Sequence, residues 1–276
     1  MSVKIGLFQS TTGVDPAANQ AALLGAIAEA ADGGAKMLFT PEMSGLLDRD
    51  SARARGNLRT EDGDPLLAAC RDAARERKLW LHLGSLAVLT EGGKLANRGF
   101  VIDDDGAIRA RYDKIHLFDV DLPTGESWRE SATYEAGVGS VIVDGTPVGR
   151  LGLTICYDLR FPALFARLAE AGAEVIAVPA AFTVPTGQAH WHVLLRARAI
   201  EAGLFVVAAA QVGSHEDGRR TFGHSLVIDP WGEVTLDMGE RSGVGFAAID
   251  RKRIAEVRAQ LPAIDHRRAI PEVVTL

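Results

Sequence analysis

Three stretches of the sequence end an apolar run on a side chain able to do chemistry. They are Leu38-Phe39-Thr40-Pro41-Glu42-Met43, Tyr112-Asp113-Lys114-Ile115-His116-Leu117-Phe118 and Leu153-Thr154-Ile155-Cys156-Tyr157-Asp158-Leu159-Arg160-Phe161-Pro162. Cys156 is a candidate nucleophile, because a thiol needs only modest help to ionise and thiolate is intrinsically reactive. A helix opening just after it would set the positive end of a dipole near the sulfur. Glu42 can take the thiol proton, pass it to a leaving nitrogen and then activate water. Lys114 offers a cationic donor to the oxygen that turns negative in a tetrahedral intermediate, and the N–H of Tyr157 offers a second. One such donor contributes about 2.7–4 kcal/mol in the transition state.

Each group also has a plainer reading. A cysteine after a strand is often buried core, a lone glutamate often an exposed loop carboxylate, and a lysine often a solvated cation. His116 is an alternative base in a Cys–His pair, or a structural residue between Ile115 and Leu117. Cys70 falls on an apolar helical face beside Leu66, Leu67 and Ala74, and reads as core.

The groups can meet only if the elements that carry them converge, and ligands collect beyond the carboxyl ends of strands in helix-covered sheets. Val3 to Gln9 reads as a strand. Asp15-Pro16 then gives an N-cap and a first-turn proline, Leu23, Leu24, Ile27, Ala28 and Ala31 follow at helical spacing, and Gly33-Gly34 stops the helix. Lys36 to Phe39 completes a β-α-β unit. Asp64-Pro65 repeats the helix start. Leu79–Leu89, Arg98–Ile102 and Ala107–Tyr112, separated by glycine turns, predict an antiparallel meander. Val148–Ile155, a helix from Phe161-Pro162 to near Gly172, and Glu174–Val178 form a second β-α-β unit. Ala189–Ala202 reads as a helix, Leu204–Ala210 as a buried strand, His224–Ile228 and Glu233–Leu236 as a hairpin, Gly245–Ile249 as a strand, and Arg251 to Gln260 as a charged helix. With no low-complexity linker, residues 1–276 are expected to form one α/β domain with mixed sheets covered by helices.

Composition narrows the function. Apolar residues make up 47% and charged residues 24%, which excludes a disordered chain. Thirty Lys+Arg against thirty-six Asp+Glu leave a net charge of −6, so no basic field attracts nucleic acid or an acidic membrane. Two cysteines permit neither a disulfide framework nor a four-cysteine zinc site. No basic segment followed by an apolar one opens the sequence, and no apolar run approaches a membrane span, so a cytoplasmic protein is expected. Gly137-Val138-Gly139 lacks the third glycine of a dinucleotide fingerprint, no Walker A motif occurs, and Gly223-His224-Ser225-Leu226-Val227 lacks the closing glycine of a nucleophile elbow. His190 and His192 are two apart and point to different faces of a helix, so no metal is expected.

Together, Pro41-Glu42, the run from Tyr112 to Asp119 and the run from Ile155 to Pro162 resemble the Glu, Lys and Cys signatures of the nitrilase superfamily of carbon–nitrogen hydrolases. The resemblance extends from Lys4 to about Arg268 and includes Trp128-Arg129-Glu130-Ser131, Pro185 to Trp191, Gly223-His224-Ser225 and Pro230-Trp231-Gly232. It implies a four-layer α-β-β-α sandwich, a homodimer or larger assembly, and no cofactor. It also implies Glu42 as general base, Lys114 as oxyanion stabiliser, Cys156 as nucleophile and Glu130 as a second glutamate positioning Lys114, with a surface role for Glu130 as the alternative. Leu194 to Glu201 and Ala208-Ala209-Ala210-Gln211 look most like the branch containing deaminated-glutathione amidase, with the ω-amidase branch next. Trp128 departs from the Phe or Tyr usual there and bears on substrate choice. The expected reaction converts a small carboxylated amide to acid and ammonia through a thioester. Arg160 is a candidate carboxylate anchor, or else an ion-pair partner of Asp158. Tyr157, Phe182, His190 and Trp191 are candidate pocket residues. N-carbamoyl amino acid hydrolysis or nitrile hydrolysis with the same triad, a Cys–His hydrolase and a non-catalytic scaffold are the competing readings.

Overall fold

The computed structural model describes residues 2–121, 125 and 127–275. Its architecture follows from two β-α-β starts of the same design. Asp15 accepts the Ala17 N–H and Pro16 opens the helix Pro16–Asp32, while Asp64 accepts the Leu67 N–H ahead of Pro65–Arg77. Both helices bury one stripe, Leu23, Ala26, Ile27 and Ala30 on the first and Leu66, Leu67, Cys70 and Ala74 on the second.

Those stripes cover one face of a seven-stranded sheet. Along it, Gly243–Asp250, Ser2–Gln9, Met37–Phe39, Trp80–Leu89, Leu95–Ile102 and Ile108–Asp113 lie side by side, and Tyr134–Glu135 pairs with Leu95–Ile102. Ser2–Gln9, Met37–Phe39 and Trp80–Leu89 run parallel. Period-two alternation sends Phe8, Leu38, Leu81 and Leu83 toward the helices and Ile5, Leu7, Met37 and Phe39 the other way. There they meet a six-stranded sheet of Val234–Asp237, Leu226–Ile228, Phe205–Ala208, Val175–Ala177, Gly149–Leu153 and Val141–Thr146. Its centre is again three parallel strands, and Pro162–Glu170 and Val184–Ala202 cover its far face. The layers are therefore α-β-β-α. Each fully buried Leu, Ile or Val contributes about 1.5–3 kcal/mol of transfer free energy.

Polar ties join the sheets. The Gln9 side chain accepts the N–H and hydroxyl of Ser225 and donates to the carbonyls of Gly239 and Arg241. Among the described residues, no helix is long and apolar enough to cross a membrane.

Element ends differ from the sequence reading by one to three residues in most strands, and more in one helix. Val184–Ala202 starts five residues before the expected Ala189. The sequence reading begins that helix only at Ala189, yet Pro185 suits a first helical turn. Gly187 is there because a Cβ would collide with the Phe222 ring. The short hairpins Asp119–Asp121 with Ser127–Arg129 and Val212–Ser214 with Arg220–Phe222 carry too few apolar residues to be read as strands.

Candidate active site

Glu42 follows the strand Met37–Phe39 at the heart of the first sheet. Its loop is fixed from both sides. Gly84 donates to Thr40 Oγ1 at 3.0 Å, and a Cβ at Gly84 would strike the carbonyl oxygens of Thr40 and Pro41. Met43 takes a left-handed φ of 56° and gives its N–H to Ser85 Oγ at 2.9 Å. Gln211, from the other sheet, donates to the Glu42 carbonyl at 2.9 Å.

Lys114 leaves the strand Ile108–Asp113 with its N–H on the Asn97 carbonyl at 3.0 Å. Its ammonium donates to Glu42 Oε1 at 3.0 Å and to Glu130 Oε2 at 2.8 Å. Asn97, inside the strand Leu95–Ile102, donates from Nδ2 to Glu42 Oε1 at 2.9 Å and to Glu130 Oε1 at 3.1 Å. Glu130 Oε2 also accepts the Phe118 N–H at 2.7 Å, and Glu42 Oε2 accepts the Ala181 N–H at 2.9 Å. Both carboxylates are thus oriented on an almost fully buried ammonium.

Cys156 follows Gly149–Leu153, and its thiol lies close enough to the Glu42 carboxylate for each to shift the other's proton affinity. It holds a left-handed φ of 47°, a backbone state that costs a non-glycine residue about 1–3 kcal/mol and persists only where neighbours enforce it. Two contacts do so. The Cys156 N–H donates to the Pro179 carbonyl at 2.8 Å, and buried Asp158 accepts the Ile155 N–H at 2.9 Å. Asp158 in turn accepts the Tyr112 hydroxyl at 2.7 Å and the His116 backbone N–H at 3.1 Å, and pairs with His116 Nδ1 at 2.7 Å. His116 is stacked on Phe161 and committed to Asp158, which sets it on the collar around the cysteine rather than on the thiol.

The electrostatics follow from one ammonium facing two carboxylates. Burial pulls Glu42 up, but the Lys114 charge, the neighbouring Cys156 thiol and the hydrogen bonds from Lys114 and Asn97 prevail and hold its carboxyl below the usual range. Burial opposes the Lys114 charge, and the Glu130 and Glu42 carboxylates override it, so Lys114 is held firmly protonated. For Cys156, burial and the Glu42 charge outweigh Lys114 and push the thiol well above its ordinary value. The expected helix dipole at the sulfur is not what the fold provides. Cys156–Arg160 is one 3₁₀ turn, and the next α-helix starts only at Pro162. A neutral thiol beside an ionised carboxylate is arranged to lose its proton as it attacks.

The expected pocket residues divide. Tyr157 and Phe161 meet edge to face, as do Tyr157 and Phe118, so Tyr157 joins an aromatic wall beside the cysteine. Arg160 does not pair with Asp158, whose oxygens are engaged by Tyr112, His116 and Ile155. Its guanidinium lies 3.3 Å from His190 Nδ1 and over the Phe182 ring. Trp191 is fully buried in the core, donating to the His224 carbonyl at 2.8 Å, and supports Phe182 from behind instead of lining the pocket. Sequence reading missed Asn97, Asp158, Ala181 and Tyr134. Tyr134 is close enough to Glu130, Glu42 and Lys114 to feel their charges.

One set of ligand-type atoms lies apart from the triad. His192 Nε2 is 3.1 Å from Asp237 Oδ2, and His224 Nδ1 is 2.9 Å from Asp237 Oδ1. The three groups lie within 4.8 Å of one another and could close on a divalent ion. The spacing of His190 and His192 gives no hint of it, because the partners lie on a distant loop and strand.

The carbon–nitrogen hydrolase family profile matches residues 4–259. A Yersinia enterocolitica protein named deaminated glutathione amidase is 41% identical over 244 residues, covering 87% of this chain and 85% of that protein. Among solved structures, Caenorhabditis elegans NitFhit superposes with a TM-score of 0.89 at 38% identity, over 97% of this chain, which spans 65% of NitFhit. A variant of an amidase from Nesterenkonia sp. AN1 superposes with a TM-score of 0.78 at 26% identity, over 94% of this chain and 98% of that one, and its structure shows Michael addition of acrylamide at the active site cysteine. A profile match over nearly the whole chain, with this fold beneath it, settles the affiliation: the chain belongs to the carbon–nitrogen hydrolase family and is an enzyme that hydrolyses amides.

Proposed function

We propose that the chain cleaves a small carboxylated amide of the deaminated-glutathione type through a thioester on Cys156. The observation that carries the reading is a buried Glu42 carboxylate that holds the Lys114 ammonium at 3.0 Å and neighbours the Cys156 thiol. Sγ attacks the amide carbon while Glu42 takes its proton. Lys114, positioned by Glu130, stabilises the oxyanion, with the Tyr157 N–H as second donor. Glu42 returns the proton to the departing nitrogen, and the C–N bond breaks. Glu42 then takes a proton from water as its oxygen attacks the thioester carbon, and returns it to the sulfur on release of the acid. Every proton is accounted for by Glu42, and no cofactor or metal enters. Primary amides yield ammonia, whereas an amide of a peptide yields the peptide amine.

The relatives named deaminated glutathione amidase set the substrate type. That compound joins a keto diacid to a dipeptide and carries a carboxylate at each end. The decisive assay compares deaminated glutathione, α-ketoglutaramate, succinamate, N-carbamoyl amino acids and simple nitriles. Fastest release of the dipeptide supports the reading, and faster turnover of a nitrile or a carbamoyl compound overturns it. Arg160 is the proposed anchor for the acyl-side carboxylate, since guanidinium pairs bidentately with carboxylate. Arg160→Ala will raise KM for carboxylated amides about tenfold with little change in kcat. An unchanged KM would remove Arg160 from that role.

We propose further that residues 1–276 act as one domain in a homo-oligomer. Val193, Ile200, Trp231 and Leu261 are 67%, 44%, 54% and 54% exposed, an unusual load of large apolar side chains for a free surface. Light scattering will give a dimer or larger, and a 29.4 kDa species would refute it. The cytoplasm is the proposed location, because the mechanism requires Cys156 to stay reduced.

A further inference from the structure

Trp128 sits beside the aromatic wall, its ring 6.2 Å from Phe118, which itself touches Tyr157. Two arginines from distant loops converge on that indole. The Arg49 guanidinium lies 4.3 Å from the ring centroid and the Arg219 guanidinium 5.1 Å. One cation on an indole needs no explanation beyond cation–π attraction. Two like charges on one ring repel, and Arg219 is also taken largely out of water, its side chain only 16% exposed. Burial, opposed by Asp217, together with the nearby Arg49 charge lowers the Arg219 guanidinium below its ordinary value.

The neighbouring acids are already engaged. Asp48 grips Arg53 at 2.6 and 2.7 Å, and Asp217 Oδ2 takes both Nε and Nη2 of Arg219 at 2.7 Å. Trp128 Nε1 is buried and, among the described residues, meets no acceptor. Among the described residues the Arg49 guanidinium, Arg219 Nη1 and the indole N–H keep donors that no acceptor takes, a set suited to a planar anion.

Its place relative to the reacting groups gives the direction. Trp128 packs toward Phe118, whose ring meets Tyr157 beside the cysteine and whose N–H is held by Glu130, the partner of Lys114, so the cluster borders the catalytic groups. Glu42 is the group that protonates the departing nitrogen, so substituents on that nitrogen extend past Glu42 toward its neighbours. Arg160 lies elsewhere, with Phe182 and His190. We propose that Arg49, Trp128 and Arg219 bind the carboxylate of the leaving amine, so that the enzyme selects amides with an anionic group on the nitrogen side as well as the acyl side. This inference rests on the amidase reading above and names the half of the substrate that Arg160 does not explain.

Arg49 is the residue to test, because it is exposed and its loss leaves no buried acid unpaired. Arg49→Ala will raise KM for deaminated glutathione about tenfold, the loss of one charge-assisted hydrogen bond, with kcat nearly unchanged. For the same compound with its leaving-side carboxylate converted to an amide, wild type and variant will have the same KM. Trp128→Phe will show the same selectivity. Equal shifts for both compounds, or no shift for either, overturn the proposal. A second arm separates it from the reading it rests on. In the Cys156→Ala background, calorimetry will show the free dipeptide cysteinylglycine binding more tightly than its C-terminal amide, and Arg49→Ala will abolish that preference. If the wild type cleaves no deaminated glutathione, the function fails while this titration still decides the anion site. Absence of any preference for the carboxylate sinks the site by itself.

Discussion

Cys156→Ala will reduce product release to background, a loss on the order of 10⁶ in kcat, while leaving the fold and substrate binding in place. The size of the loss follows from the chemistry left behind. Without sulfur there is no thioester, and water, a weaker nucleophile than the thiol and not built into the site, would have to attack the amide directly. Thermal melting should hold, because alanine fits a position that is already tightly walled. The left-handed φ of 47° is enforced by the Pro179 carbonyl and by Asp158, not by the thiol. Substantial residual turnover would show that the cysteine is a bystander and would revive the scaffold or histidine-based alternatives.

Glu42→Gln will lower kcat by about 10³ or more, because one carboxylate serves as base, acid and base again. Gln is nearly isosteric, yet it cannot satisfy the site. Lys114 and Asn97 both donate to Oε1, and Ala181 donates to Oε2, so whichever way the amide is turned its NH₂ faces a donor. KM should move far less than kcat. The wild-type pH profile follows from the same contacts. Glu42 is held below the ordinary carboxyl value of 4.5, so kcat/KM stays level as pH falls toward that point and declines only below it. The thiol is held above 9.0, so no ordinary cysteine limb appears near neutrality. Glu42 also contributes stability that is present above pH 4.5 and is lost as pH falls through its depressed folded value. An acid limb centred well above 4.5 would mean that another group is the base.

The triad is legible in sequence because each member comes just after a strand, and strand ends are where buried polar groups can point into a cleft without breaking a ladder. Asn97 is not legible for the opposite reason. It sits inside a strand, where a polar residue ordinarily marks the solvent face, and only the stacking of a second sheet makes that face interior. Asp158 carries a signal in hindsight, an acid two residues past the cysteine, but its partners Tyr112 and His116 come from a strand and the loop after it, more than forty residues away. Trp191 shows the limit of proximity reasoning. An indole near Phe182 in sequence reads as pocket, and the helix that carries it turns it inward. The early start of Val184–Ala202 is hidden because Pro185 and Gly187 mimic a loop until Phe222 is seen packed against the helix.

Tyr112 and His116 flank Lys114, and both grasp the acid that holds the loop of Cys156. Electrophile holder and sulfur therefore ride on a single clamp, and neither can yield to a bulkier substrate without dragging the other out of alignment. Adaptation to new amides must then act at the rim, through residues such as Arg49, Trp128 and Arg160, which are free to drift because the trio at the centre is not.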